Sequence, residues 1–148
     1  MFTLTGASPE QAEAAVNAVM KIETGIAKSS FSREDLRDSQ KNYNKIKLQE
    51  FKANNNPLDW DVYFESMGLM EIEYLDAKQL PFYEALGEFM KNVSIDEQKY
   101  YLAFNLLNAA APYLSDDFVA AEFDFYGKVM SGKLEQKPRW KRSLSTVN

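Results

Sequence analysis

Residues 94–132 read SIDEQKYYLAFNLLNAAAPYLSDDFVAAEFDFYGKVMSG, and the local signals in this stretch decide the fold class. Ser94 followed three residues on by Glu97 is a capping box, in which each side chain satisfies the other's backbone N–H at a helix start. The helix it opens carries Tyr101, Leu102, Leu106 and Leu107, is apolar on most sides, and is therefore expected to be buried centrally. Pro112 ends or kinks it. Ser115 can cap the next helix, with Asp116 and Asp117 in its first turn, where the helix dipole favours negative charge. Gly132 stops that helix.

The same logic extends in both directions. Ser8-Pro9-Glu10-Gln11 opens a helix with a cap, a proline suited to the first position and a Gln that completes the box. Ala12, Ala15, Val16, Val19, Ile22 and Ile26 then recur at helical spacing to about Lys28. Ser32-Arg33-Glu34-Asp35 opens a short helical turn, and residues 48–53 form another short helix ended by NNNP. Asp59 caps a helix carrying Trp60, Tyr63, Phe64 and Met67, with Gly68 as its stop. Pro81 begins a helix to about Met90, KLEQK is a linker, and Pro138 opens a last helix with Trp140, Leu144 and Val147 on one face. EIEYLD alternates weakly, with no strand partner to name for it. The expected fold is all-α, antiparallel helices with at most a short isolated extended segment near residues 72–77. Residues 1–148 read as a single helical domain. The last helix meets no stop signal before Asn148, which suggests a piece of something longer.

Composition narrows the chemistry. The 148 residues are 45% hydrophobic and 14% aromatic, enough ring area to argue against disorder. A formal net charge of −5 makes a poor non-specific ligand for nucleic acid or anionic lipid. No apolar run approaches the ~20 residues of a membrane span, and MFTLTGASPEQ lacks the regions of a targeting signal. The sequence contains no Cys and no His. A catalytic zinc site normally takes His or Cys ligands, and Ser-His-Asp and Cys-His catalysis need an imidazole, so only carboxylate chemistry is open to this chain.

The candidate carboxylates are Asp116, Asp117, Glu122 and Asp124. A pair of them could do general acid and base work. On a wheel of ~100° per residue, Phe118, Val119, Phe123, Phe125, Tyr126, Val129 and Met130 share one arc. Glu122 falls inside that arc, Asp116 at its edge, Asp117 and Asp124 outside. Capping by the first two, solvation of Asp124 and an ion pair for Glu122 outweigh catalysis, since structural ion pairs also perturb acids. Glu23 raises the same question inside the stripe of the first helix. A buried Glu23–Arg37 structural ion pair is the favoured reading over a general base, because nothing beside Glu23 marks a substrate site. Losing one partner of such a buried pair costs about 3–5 kcal/mol. KPRWKR could stack and neutralise nucleic acid; the acidity of the chain favours a helix start with Trp140 in the core and the cations paired with acids such as Glu122.

FDFYGKVMSG followed by KPRWKR and a terminal VN resembles a signature of the neprilysin-like zinc metallopeptidases. IETGIAKSSFSREDLRDSQKNYNKIKL, DWDVYFESMGL and NAAAPYLSDDFV are similar to the same family, in the same order, so the resemblance covers nearly the whole chain. It implies a larger parent enzyme, a zinc endopeptidase whose catalytic domain carries HExxH and a downstream ExxxD, with a mostly helical second domain that caps the cleft. This chain is similar to the central part of the N-terminal helical region. It has neither zinc motif, so no catalytic, cofactor-binding or metal-binding residue is carried over. Zinc, the peptide substrate and a periplasmic or extracellular location are implied for the parent only. The implied partner is the catalytic domain of the same parent chain. Ser143 stands where many animal members have cysteine, and Glu122 where relatives often have asparagine. Both Glu23 and Arg37 match family landmarks. The alternative is a stand-alone helical interaction module, since amphipathic helices often bind partner helices.

Overall fold

The computed structural model describes residues 1–55, 58–69 and 71–147, apart from the side chains of 145–147. Asn56 and Pro57 of the NNNP stop, the side chain of Val147 and the terminal Asn148 lie outside the described residues. Helices dominate: α1 Pro9–Ser29, α2 Leu48–Asn54, α3 Trp60–Ser66, α4 Leu80–Met90, α5 Ile95–Ala110, α6 Asp116–Glu122 and α7 Arg139–Val147, with short 3-10 turns at Phe2–Thr5, Asp35–Arg37 and Ala111–Tyr113. The mainly helical expectation is met. The chain forms two compact units, Met1–Asn17 with Lys99–Asn148, and Ala18–Gln98.

The helix starts lie where the caps put them. Gln11 N–H donates to Ser8 Oγ at 3.2 Å and Ser8 N–H to Gln11 Oε1 at 2.9 Å. Ser94 and Glu97 repeat the pattern, at 3.2 and 2.7 Å. Val62 N–H donates to Asp59 Oδ1 at 3.1 Å, and Asp35 N–H to Ser32 Oγ at 3.1 Å. Each bond satisfies a donor that the first helical turn leaves unpaired. Ser115 precedes α6 in extended conformation, as a cap should, but its hydroxyl makes no capping bond.

In the unit Ala18–Gln98, the extended piece near 72–77 is real but not isolated. Strand β2, Tyr74–Asp76, pairs antiparallel with β1, Lys45–Lys47, in the register Lys45↔Asp76, Ile46↔Leu75, Lys47↔Tyr74. A three-residue strand carries too little periodicity to be read from sequence, which is why β1 went unseen. Asn44 fastens one end: its N–H donates to Asp76 Oδ1 at 2.8 Å and its carbonyl accepts from Ala77 N–H at 3.0 Å. On this ribbon sits the core of Leu48, Phe51, Phe64 and Ala77, ringed by Ile46, Trp60, Leu75 and Tyr83. Phe51 is its centre, only 2% exposed and edge-on to Trp60 at 4.9 Å and to Tyr83 at 5.1 Å. Such edge-to-face pairs add to simple area burial. Between α1 and α4, Gly25 lets the Phe89 ring approach so closely that a Cβ would lie 2.3 Å from it.

In the unit Met1–Asn17 with Lys99–Asn148, Phe2 packs edge-on to Tyr100 at 6.1 Å, and Ala15, Ala111 and Val119 are buried. Helix α5 departs from its expected central burial. None of its residues is buried, and Leu102 and Leu106 are 68% and 69% exposed. Apolar periodicity selects a face; burial needs something packed against that face. The helix expected from Ser115 to Gly132 is also two structures: α6 ends at Glu122 and a π-helix, Phe123–Met130, continues it. A Cβ on Gly127 would lie 2.2 Å from the Phe123 ring, so the ring occupies the space that only a glycine leaves.

Candidate functional site

A concavity lies beside the π-helix. It is an open groove of about 720 Å³. One wall is helical, with Glu122, Phe123 and Tyr126; the other is the segment after Gly132, with Lys133, Leu134 and Lys137. The π-helix shapes the first wall, because the Phe123 ring lies against Gly127 and the Tyr126 hydroxyl accepts from Asn108 Nδ2 of α5 at 2.9 Å. The second wall is folded back by Gly132, whose φ of 63° suits a residue without Cβ. Lys133 N–H then donates to the Gly127 carbonyl at 2.9 Å, and Gln136 Nε2 to the Val119 carbonyl at 3.1 Å. The segment read as a linker is thus tied to α6 and the π-helix at two points. A second hollow of about 320 Å³, by Asn55, Leu80, Pro81 and Glu84, has no constellation for chemistry.

The acids singled out from sequence do not converge. Asp116 and Asp117 lie exposed in the first turn of α6. Asp124 pairs with Lys128 one turn on, at 2.6 Å. Glu122 is half-buried and lines the groove, as does Arg142, so the expected meeting of Glu122 with the KPRWKR cations has both groups in one hollow. Trp140 is 62% exposed rather than in the core, because α7 presents its apolar face to solvent in this chain. Glu23 and Arg37 are both exposed, so the burial expected of that pair is not found, although Glu23 lies in the apolar stripe by spacing.

The perturbed carboxylates belong to caps and ion pairs. Hydrogen bonds from the Lys21 ammonium and then from the Ser94 N–H hold the Glu97 carboxyl down to about 2. The Lys41 ammonium, followed by the Ser32 hydroxyl, lowers Asp35, and Asp35 in turn raises Lys41. Burial raises the Tyr83 phenol within the aromatic core. The Lys21–Glu97 pair and the groove wall at Lys133, Leu134 and Lys137 were not singled out from sequence. The one available signal was Leu134, a lone apolar residue in an otherwise polar KLEQK.

With this architecture in view, the comparisons with known proteins are consistent. The sequence matches the profile of Peptidase family M13 over residues 1–148, and the chain belongs to that family. Neutral endopeptidase of Lactobacillus helveticus is 25% identical over 148 residues, which cover 100% of this chain and 23% of that protein. Neprilysin-11 of Caenorhabditis elegans is 21% identical over 141 residues, covering 90% of this chain and 16% of its own. The zinc metalloprotease Zmp1 of Mycobacterium tuberculosis shares the fold. Its inhibitor complex superposes with a TM-score of 0.88 at 23% identity, over 96% of this chain and 22% of Zmp1. The chain therefore spans less than a quarter of the length of these relatives.

Zinc does not fit the residues present. The sequence supplies no imidazole or thiolate, and among the described residues no three acidic side chains gather as ligands. A stable zinc site takes three or four protein ligands at about 2.0–2.3 Å.

Proposed function

We propose that this chain is the non-catalytic helical capping part of a neprilysin-like zinc metalloendopeptidase, helping to enclose the chamber in which peptides are cut. The observation that carries this reading is the pairing of a family match over all 148 residues with a donor set that cannot hold zinc. The hydrolytic chemistry then belongs to a catalytic domain elsewhere in the parent chain, which also supplies the zinc. Residues 1–148 act as one part, and their contribution is to specificity: a walled chamber admits peptides and rejects folded proteins. The parent works in the periplasm or outside the cell. Within this part, Glu23 and Arg37 form a surface ion pair that ties α1 to the turn at Asp35–Arg37.

The coding sequence beyond Asn148 tests the proposal most directly. A reading frame that continues into HExxH and ExxxD supports it, and a natural stop codon close behind Asn148 would sink it. Calorimetry on the chain alone gives an independent check: zinc binding at sub-micromolar affinity contradicts a non-catalytic part. The second reading, a stand-alone helical interaction module, draws on the exposed Val129, Met130, Trp140 and Leu144. It requires that stop codon.

A further inference from the structure

We propose that the groove beside the π-helix seats an acidic side chain, flanked by apolar residues, from the remaining polypeptide of the M13 parent. This rests on the parent reading above. Lys133 and Lys137 take the carboxylate and Leu134 is the apolar anchor.

Three observations converge. Leu134 stands in the groove wall at 91% exposure, and its segment is held in place by the Lys133–Gly127 and Gln136–Val119 hydrogen bonds. A leucine fixed in water gains from any apolar cover, at no further ordering cost to its backbone. The groove also carries Lys133, Lys137 and Arg142 against Glu122 and Glu135, a local excess of positive charge on a chain of net charge −5. One carboxylate matches that excess, whereas a polyanion would meet the two glutamates. Finally, apolar residues stand exposed on the elements that frame the groove, with Val129 at 71%, Met130 at 66% and Trp140 at 62%. More than three-quarters of the length of these relatives lies outside the matched region. A second copy of this chain is a poorer occupant, because it brings another net charge of −5.

The absence of native cysteine in these residues makes the test direct. Leu134→Cys is placed in the 148-residue chain and in the full-length parent, and maleimide labelling of that position is timed by peptide mass spectrometry. Labelling is expected to be about tenfold slower in the parent, the protection that local opening against a packed partner imposes. Adding Lys137→Glu to the parent should restore much of the rate. Equal rates in the two proteins overturn the proposal. So does protection that Lys137→Glu leaves unchanged, since the seat would then not be electrostatic. Protection in the 148-residue chain that grows with its concentration makes a second copy the occupant and likewise overturns it. Zinc-dependent peptide cleavage by the same parent is assayed separately. A parent that cleaves peptides but labels freely defeats only the docking inference, and one that is protected but inactive defeats only the functional reading.

Discussion

The ammonium of Lys21, on α1, lies 2.7 Å from Oε1 and 2.9 Å from Oε2 of Glu97, in the first turn of α5. Oε2 also accepts the Ser94 N–H at 2.7 Å, so one carboxylate both caps α5 and grips α1. Lys21 spends a further donor on the Asn92 carbonyl at 3.0 Å, just ahead of the cap. A single cation thus holds a helix start that the capping box alone would have set only locally.

This arrangement has a pH signature. The Glu97 carboxyl lies at about 2, below its ordinary 4.5, so its contribution to stability is complete above about 4.5 and is lost as the pH falls through about 2. Carboxyl-carbon NMR of Glu97 should titrate near the lower value. In Lys21→Met the main cause of the depression is gone, and the titration should move up toward 4.5. The acid limb of the unfolding curve should begin at higher pH in the variant. An unmoved titration would show that the Ser94 N–H alone sets the value.

Gly127→Ala tests the π-helix. Its Cβ would meet the Phe123 ring at 2.2 Å, close to the ring's attachment, where a rotation gives little relief. A loss of about 1–3 kcal/mol is expected in urea unfolding, the range for overpacking. Combining it with Phe123→Ala should cost less than the sum of the two single changes, since the clash is removed with the ring.

Phe51→Ala and Trp140→Ala form a pair of opposites. Phe51 is 2% exposed at the centre of the aromatic core, so its truncation should cost about 3–5 kcal/mol. Trp140 is 62% exposed, and its loss should change the stability of the 148-residue chain by no more than about 0.5 kcal/mol. If Trp140→Ala proved as damaging as Phe51→Ala, α7 would have to be packed more deeply than its exposure shows.

Glu23→Ala separates two readings of one residue. A buried pair with Arg37 would cost several kcal/mol to break, whereas an exposed pair is worth about 0–1 kcal/mol. Both side chains are exposed, so the smaller change is expected, at most a shift of a few degrees in Tm. A double-mutant cycle with Arg37→Ala measures the coupling itself.

The helix starts at Pro9, Trp60 and Ile95 were legible because capping is a contract between residues three apart, written wholly in local sequence. The unfitness for zinc was legible for a simpler reason, since donor chemistry is a matter of residue type alone. The groove was not legible. Lys133, Leu134 and Lys137 look like linker until Gly132 turns the chain back, the Gly127 carbonyl accepts from Lys133 N–H and the Val119 carbonyl accepts from Gln136 Nε2.

Local order therefore came from the sequence by itself: where helices start, where glycine halts them, and which chemistry the side chains cannot perform. The tertiary structure alone decided which apolar faces are covered. It buried Leu48 and Phe51 against a two-stranded ribbon whose strands lie far apart in the chain, and left Leu102 and Leu106 in water. It also made the run after Glu122 π rather than α, with the Phe123 ring lying on Gly127. The physical reason is one of range. Hydrogen bonds within a helical turn need only near neighbours in sequence, while burial and close packing depend on what the rest of the chain brings alongside.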